Sequence, residues 1–385
     1  MIYAKWKILM LACAVLHIGS AMAADPPTAR SAADGVRIAL VAPLSQAPQS
    51  PIGQQVAAGV KSYVEQVNST GGIQGKPVQL LVYDDHFKPD ETAALSAKAV
   101  REDGALALMT VGTATALKVI EAQIPETTKT PLFPLRTGAA SVREPLNPFV
   151  FNIRAGYRAE LQRLVRQLDL MGIRRVALLY QNDAYGEFGR SVVRAEMQAR
   201  NSSPLGEAQY DRTSADMTAP VDTLGRLNPD AIILIAGGTQ AVSFIKAYRQ
   251  RGFHGQIVGL SDVDPQFLIR EAGPDLARGV GVSQVFPSLG NRIIPVVRDF
   301  QRAHQRLGLA GEPASLAAFE GYLSAKVIVE GLKRANVNRV SLGQALNSLG
   351  HFDLGGYVVN FSAAQHEGSS YADLLVIGSD GRIRY

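Results

Sequence analysis

Residues 36–85 read VRIALVAPLSQAPQSPIGQQVAAGVKSYVEQVNSTGGIQGKPVQLLVYDD, and this stretch decides the fold class. Its first apolar run, 36–41, is long enough for a buried strand and is followed by a proline-rich loop. From 54 to 67 the apolar residues recur at helical spacing, and the glycines at 71–72 end that helix because glycine readily adopts a left-handed C-cap. A second apolar run, 78–82, completes a strand–helix–strand unit. Parallel sheets bind ligands at the carboxyl ends of such strands, so the loops after both runs are candidate ligand loops.

The same alternation continues along the chain and predicts an α/β fold. Further apolar runs lie at 105–111, 131–135, 149–153, 175–180, 231–235, 257–260, 357–360 and 372–377. Because 385 residues are too many for one ordinary core, we predict two doubly wound parallel-sheet lobes. The run at 280–285 is predicted to be a return crossing between them.

The composition is that of a globular protein, 46% hydrophobic and 19% charged, with a formal net charge of +5. No cluster of basic residues is interleaved with aromatic residues, so a nucleic-acid partner is not expected. The chain has no GxGxxG, P-loop or nucleophile-elbow motif. Asp84, Asp85 and His86 are adjacent, but successive side chains of a strand point to opposite sides, so we do not predict a metal site there. No cofactor and no enzymatic activity are predicted.

The N-terminus has the pattern of a secretory signal peptide. Lys5 and Lys7 precede an apolar segment, 8–18, that is too short to span a bilayer, and Ala-Met-Ala at 21–23 is a small-x-small cleavage site. We predict a signal peptide at 1–23, a flexible leader at 24–34 and a periplasmic mature chain. Cys13 is the only cysteine, and lipoprotein anchoring through it is the alternative. Signal-peptide cleavage is favoured because the apolar run before Cys13 is short.

Four segments resemble the periplasmic branched-chain amino-acid-binding proteins of ABC transporters. They are GQQVAAGVKSYVEQVNSTGGIQGKPVQLLVYDD at 53–85, YQNDAYGEFGRSVV at 180–193, AFEGYLSAKVIVEGL at 318–332 and HEGSSYADLLVIGSDGRIRY at 366–385. The resemblance implies a type I periplasmic-binding-protein fold, with two lobes joined by a three-crossing hinge. The crossings are expected near 152–155, 282–286 and 354–360. Lobe 1 would comprise 35–153 plus 286–355, and lobe 2 would comprise 154–285 plus 356–385.

The first lobe has two candidate ligand loops. The turn at 112–115 begins a helix, whose unpaired N–H groups and dipole favour an anion. The resemblance assigns Thr113 to the hydroxyl that holds the ligand carboxylate, and a plain helix cap is the alternative. Arg136 departs from the family's small residues, and it is either a cation for an acidic ligand or a surface arginine at a strand end. The predicted first-lobe ligand residues are Ser45, Gly53, Thr113, Arg136, Thr137 and Gly138.

The second lobe matches the family less closely at the ligand. Tyr185 matches an aromatic ligand contact, with simple packing in the interlobe groove as the alternative. Ser261 aligns with an acidic residue that pairs with the ligand ammonium, and Asp262 is one position further on. Gly238 lies where the family has an aromatic segment, and Ile52 replaces a common first-lobe aromatic. The predicted second-lobe ligand residues are Tyr185, Gly238, Ser261 and Asp262.

These features predict a monomeric, non-enzymatic receptor that delivers a small ligand to ABC permease subunits. The ligand would be an amino acid, an amide or a small carboxylate. Because Ser261 stands at the acidic position, a carboxylate without an amino group is predicted to bind at least as well as leucine. A periplasmic sensor for a signalling partner and, less favoured, a periplasmic enzyme are the alternative functions.

Overall fold

The computed structural model describes residues 35–308 and 314–384. The predicted signal peptide and leader lie outside the described residues. The strands are β1 Val36–Ala42, β2 Val78–Asp84, β3 Leu108–Val111, β4 Leu132–Leu135, β5 Val176–Gln181, β6 Gly206–Tyr210, β7 Ala231–Ile235, β8 Gln256–Gly259, β9 Gly281–Gln284, β10 Gly350–Asp353, β11 Val358–Phe361, β12 Asp373–Ile377 and β13 Ile383–Arg384. The α-helices are α1 Ser50–Ser69, α2 Pro89–Arg101, α3 Thr113–Glu121, α4 Ile124–Thr128, α5 Tyr157–Leu170, α6 Ala184–Gln198, α7 Thr218–Arg226, α8 Gly238–Gln250, α9 Pro265–Ala272, α10 Pro274–Ala277, α11 Pro295–Arg306, α12 Leu316–Arg334 and α13 Arg339–Asn347.

The first lobe is built on a four-stranded parallel sheet in the order β2-β1-β3-β4. Successive side chains of a strand point to opposite faces of its sheet. In β1, Ile38 and Leu40 therefore join the core under α1, α11 and α12, whereas Ala39 joins the core under α2, α3 and α4. Helices cover both faces of this sheet, as the alternating apolar runs predicted.

The second lobe is built on a seven-stranded sheet in the order β13-β12-β9-β8-β7-β5-β6. In β7, Ile232 and Leu234 face one hydrophobic core while Ile233 and Ile235 face the other, so this sheet is also covered on both sides. Strands β5 to β9 are parallel, whereas β12 runs antiparallel to β9 and β13 runs antiparallel to β12. The prediction of two doubly wound lobes is confirmed, with an antiparallel edge that the sequence pattern did not predict.

Three segments connect the lobes, and two of them pair with each other. Asn152 on the first segment accepts a backbone hydrogen bond from Gly368 at 2.7 Å and donates one to His366 at 2.9 Å, both on the third. The second segment follows β9 directly, since Val285 already belongs to the first-lobe core. The predicted return crossing at 280–285 is therefore mostly a strand of the second lobe.

The third crossing was predicted near 354–360, where the structure has strand β11. β11 forms an antiparallel hairpin with β10, and its Val359 and Phe361 are buried in the first-lobe core. We therefore propose that the last domain boundary falls between β11 and β12 rather than at 355/356. Two other differences concern the strands: β6, β10 and β13 have no counterpart among the predicted apolar runs, and 149–153 forms isolated bridges instead of a strand.

Two glycines allow α1 and α12 to cross closely in the first lobe. A Cβ at Gly59 would overlap the carbonyl oxygen of Ala318, and a Cβ at Gly321 would overlap that of Val56. Because backbone atoms cannot move aside as a flexible side chain can, these positions admit no larger residue without separating the helices.

Replacing Gly59 by alanine should lower the free energy of unfolding by roughly 1–3 kcal/mol, the usual cost of overpacking a core. Gly343, inside α13, is the matched control because a Cβ there would meet nothing within 4 Å. Gly343→Ala should raise stability by up to about 1 kcal/mol through helix propensity. Urea unfolding of both variants measures the difference, and equal effects would contradict the close-crossing account.

Candidate ligand-binding site

Two threonine hydroxyls meet at the carboxyl ends of first-lobe strands. Thr113 is the first residue of α3, after β3, and its Oγ1 lies 2.7 Å from Oγ1 of Thr137, which follows β4. The helix cap is Gly112, with φ of 103°, and no side chain caps the helix. Thr113 is therefore not a plain cap, and the pair of hydroxyls lies beside the open first turn of α3, where an anion is favoured.

The loop that carries Thr137 is packed against an aromatic residue at the start of the second lobe. The backbone N–H of Tyr157 donates to the carbonyl of Gly138 at 2.8 Å. A Cβ on Gly138 would lie 2.6 Å from the Tyr157 ring, so only glycine fits this approach. Tyr157 thereby links the predicted first-lobe ligand loop to the second lobe.

Asp262 lies with two tyrosines on the second-lobe side. The Tyr185 hydroxyl donates to Oδ2 of Asp262 at 3.4 Å, and the rings of Tyr185 and Tyr157 make an edge contact with centroids 5.2 Å apart. Burial, and then the negative charge of Asp262, raises the pKa of both phenols well above the ordinary value. Both tyrosines are therefore neutral hydrogen-bond donors at neutral pH. Within the described residues, no Lys, Arg or His forms an ion pair with Asp262.

Ser261 is engaged inside the second lobe. Its backbone N–H donates to Glu160 Oε2 at 2.9 Å, and its hydroxyl donates to Oε1 of the same carboxylate at 3.0 Å. Arg154 donates a further hydrogen bond to the Ser261 hydroxyl. The N–H and the hydroxyl of Ser261 are thus both engaged in hydrogen bonds. The acidic group beside Tyr185 is that of Asp262.

A buried charge network runs from the first lobe to the second. Arg154 is 1% exposed, and its guanidinium lies 3.3 Å from Glu160 and 4.0 Å from Glu320, a buried residue of α12. Burial alone would lower the pKa of Arg154, but Glu320 and Glu160 raise it above its ordinary value. The arginine therefore remains charged and bridges a first-lobe helix and the first turn of α5.

Arg136 belongs to the same network. It has a left-handed φ of 57°, its backbone N–H donates to Glu320 Oε1 at 2.8 Å, and its side chain lies 3.4 Å from Oε2. Because its charge is already paired with Glu320, Arg136 is a weaker candidate for the cation that would bind an acidic ligand. It is also not a simple surface arginine, because its partner is buried.

The remaining predicted residues have local partners. The Ser45 hydroxyl donates to Asp84 Oδ2 at 2.5 Å, and Gly53 lets α1 approach the Pro43 carbonyl. Gly238 begins α8, and a Cβ there would lie 3.5 Å from the Asp262 carbonyl oxygen. Gly238 is thus close to the acidic loop, whereas Ser45 is tied to the end of β2.

The sequence reasoning missed two aromatic residues near the site: Tyr157, which packs on Gly138, and Phe87, which lies beside Gly112. Phe87 has a left-handed φ of 59°, and its ring would be 2.9 Å from a Cβ on Gly112. Its N–H donates to Asp85 at 2.9 Å, and the N–H of His86, also left-handed, donates to Asp84 at 3.1 Å. The Asp-Asp pair that ends β2 is the sequence signal, because aspartates often bind the N–H two residues on.

Neither a membrane-spanning helix nor a metal site is found in the described part of the chain. No helix within 35–308 and 314–384 has the length and apolarity needed to cross a bilayer. Over the same residues, no group of three or more His, Cys, Asp or Glu side chains is arranged to hold a metal ion.

Glu320 should be important for stability because Arg136 and Arg154 both pair with its carboxylate. Glu320→Ala should lower the free energy of unfolding by about 3–5 kcal/mol, since it leaves the buried Arg154 charge partly uncompensated. Glu330, on the same helix, pairs with Arg334 nearer the surface and is the control. Glu330→Ala should cost about 0–1 kcal/mol. Urea unfolding compares the two variants, and a similar small cost for both would show that the network is not stabilising.

Comparison with known proteins agrees with this arrangement. The family model described as periplasmic binding protein matches residues 35–382. A substrate-binding periplasmic protein from Ralstonia solanacearum is 32% identical, with a TM-score of 0.81 over 90% of this chain and 99% of that one. An extracellular ligand-binding receptor from Verminephrobacter eiseniae is 27% identical, with a TM-score of 0.85 over 91% and 100% of the two chains.

A curated relative covers most of the chain as well. The Leu/Ile/Val-binding protein homolog 3 of Brucella melitensis is 25% identical over 322 residues, which is 82% of this chain and 83% of the relative. The family and these relatives are solute-binding proteins rather than enzymes. With two doubly wound lobes, three connecting segments and a family match over nearly all described residues, this chain belongs to the periplasmic binding protein family.

Proposed function

We propose that this protein is the periplasmic solute-binding component of an ABC transporter and that its ligand is an α-amino acid. The observation that carries the ligand class is the Asp262 carboxylate, which accepts a hydrogen bond from the Tyr185 phenol and forms no ion pair of its own among the described residues. The nearby Arg154 guanidinium feels the charge of Asp262 but is already paired with Glu160 and Glu320. The surrounding charges of Arg136, Arg154, Glu160 and Glu320, two positive and two negative, compensate one another. An ammonium group of the ligand would supply the cation that Asp262 lacks.

The first lobe would bind the other end of the same ligand. The hydroxyls of Thr113 and Thr137 and the open first turn of α3 suit a carboxylate, which accepts several hydrogen bonds. The name of the Brucella relative, a Leu/Ile/Val-binding protein homolog, supports an aliphatic amino acid. The ring of Phe87 beside Gly112 offers an apolar surface next to this carboxylate position. Delivery of the amino acid to a membrane permease completes the proposal.

This proposal reverses one expectation from the sequence. The prediction that a carboxylate without an amino group binds at least as well as leucine depended on Ser261 occupying the acidic position. With Ser261 bonded to Glu160 and Asp262 beside Tyr185, leucine should be preferred over its des-amino analogue 4-methylpentanoate.

Calorimetry with both compounds tests the ligand class. Asp262→Asn should weaken leucine binding by about 1.5–3 kcal/mol, the value of a hydrogen bond to a charged group, and should leave 4-methylpentanoate binding nearly unchanged. Asp216→Asn is the control, since Asp216 is an exposed second-lobe aspartate that accepts the Thr218 N–H at 2.8 Å. Leucine should bind the control as it binds the unaltered protein. Binding of 4-methylpentanoate without binding of any α-amino acid would contradict the proposal.

Thr113 should contribute to the binding of leucine and of 4-methylpentanoate alike, because both compounds carry a carboxylate. Thr113→Val should weaken leucine and 4-methylpentanoate by similar amounts, about 1–3 kcal/mol, through loss of one hydroxyl donor to a charged acceptor. The same titrations measure this. A loss confined to leucine would place the ammonium, not the carboxylate, at Thr113.

The proposed periplasmic location depends on the N-terminal signal. The basic residues, the apolar segment and the Ala-Met-Ala site at 21–23 predict a mature chain that begins near Ala24. Intact-mass measurement of the exported protein checks this. A lipid-modified chain that begins at Cys13 would overturn the cleavage site and establish a lipoprotein instead.

A further inference from the structure

Glu160 is a buried carboxylate whose hydrogen bonds converge on the residue before Asp262. It is 0% exposed and lies in the first turn of α5. One oxygen accepts the Ser261 N–H at 2.9 Å, and the other accepts the Ser261 hydroxyl at 3.0 Å and Arg154 Nη2 at 3.3 Å. Arg154 donates to the same hydroxyl, so the three side chains form a closed set of hydrogen bonds.

Only a carboxylate can complete this set. The backbone N–H, the hydroxyl and the guanidinium are three donors that approach from different directions, and a carboxylate accepts them with two oxygens. Glutamine has a single side-chain oxygen, so Glu160→Gln would lose one of these bonds and the charge that faces Arg154. Burial raises the pKa of Glu160, because a carboxylate loses its hydration inside the protein. The hydrogen bonds from Ser261 and the charge of Arg154 oppose this effect and favour the ionised form.

The loop around Asp262 is fixed on both sides. Glu160 holds Ser261 on one side, and on the other Asp264 caps α9 by accepting the N–H groups of Gln266 and Phe267 at 2.7 and 3.0 Å. Asp262 lies between these two anchors, and its carboxylate contacts the Tyr185 hydroxyl. The direction of the Asp262 side chain therefore depends on the anchor that Glu160 provides.

We propose that Glu160 is a positioning residue for ligand recognition, which sets the Asp262 carboxylate in the direction that an α-ammonium group requires. This inference rests on the proposed function. Arg154 extends the anchor to Glu320 of the first lobe at 4.0 Å, so Asp262 is oriented relative to the lobe that binds the ligand carboxylate. Glu160 itself does not contact the ligand; it acts through Ser261 and Asp262.

The test is a double-mutant cycle in the mature protein, with calorimetric titration of L-leucine and 4-methylpentanoate. Glu160→Gln should weaken leucine about tenfold and change 4-methylpentanoate by less than about twofold, because only leucine has an ammonium for Asp262. In the Asp262→Asn background, Glu160→Gln should cost nothing further, because the two residues act in series. Glu196→Gln is the matched control: Glu196 is a second-lobe carboxylate, bonded to Gln162 and Arg200, and its replacement should not alter either affinity.

Equal loss of both compounds in Glu160→Gln, or additive losses in the double variant, would overturn the positioning role in favour of general destabilisation. Should Glu160→Gln fail to fold, Ser261→Ala removes one hydroxyl and keeps the N–H bond. It should weaken leucine about two- to fivefold without affecting 4-methylpentanoate, and an unchanged leucine affinity would overturn the proposal.

A ligand-free measurement separates this inference from the proposed function. If the unaltered protein bound no α-amino acid, the proposed function would fail, and crystal structures of the unaltered and Glu160→Gln proteins would decide the positioning role. Displacement of the Asp262 carboxylate from the Tyr185 hydroxyl in the variant supports it. An unmoved Asp262 overturns it.

Discussion

The Arg154 guanidinium, buried between Glu320 and Glu160, is the interaction on which the rest of the site depends. A buried arginine is costly unless carboxylates surround it, and here one carboxylate comes from each lobe. Removing either carboxylate would leave part of the Arg154 charge uncompensated where water cannot reach it. The three residues therefore stabilise the structure only as a set. Arg154, on the first connecting segment, therefore forms an electrostatic link between α12 and α5. Both candidate ligand loops are attached to this link. The Thr137 loop is attached through Arg136 and Glu320, and the Asp262 loop is attached through Ser261 and Glu160.

This pairing leaves one acidic group in the site without a cation. Arg136 and Arg154 share Glu320, and Glu160 takes the remaining charge of Arg154. Asp262 is half-buried and accepts a hydrogen bond from the Tyr185 phenol, which does not neutralise its charge, and the nearby Arg154 is already paired with Glu160 and Glu320. A ligand with an ammonium group gains more from this carboxylate than a neutral or purely anionic ligand does, and this is the physical basis for proposing an α-amino acid.

The sequence predicted the parts of the fold that depend on local pattern. Apolar runs such as those of β1 and β7 alternate with helical spacing, and the ends of β3 and β4 place Thr113 and Thr137 at one edge of a sheet. The buried network could not be predicted in this way, because Arg154 and Glu160 lie far from Glu320 in the sequence and a local pattern does not show which charged residues will pair. β6, with the sequence GEAQY, lies at the sheet edge and has no apolar run to reveal it.

Hydrogen bonds within each half of the site limit what can bind. Thr113 and Thr137 bond each other, and Tyr185 bonds Asp262. A ligand carboxylate exchanges the neutral hydroxyl pair, worth about 0.5–1.5 kcal/mol, for charge-assisted bonds worth about 1.5–3 kcal/mol each, so its net gain in the first lobe is modest. An ammonium at Asp262 alone likewise gains only from one lobe. A ligand that carries both groups at the separation of an α-amino acid forms hydrogen bonds with both lobes. Only such a ligand would stabilise the closed arrangement of the two lobes. Selectivity and closure would then arise from the same two loops, both of which are connected to Arg154.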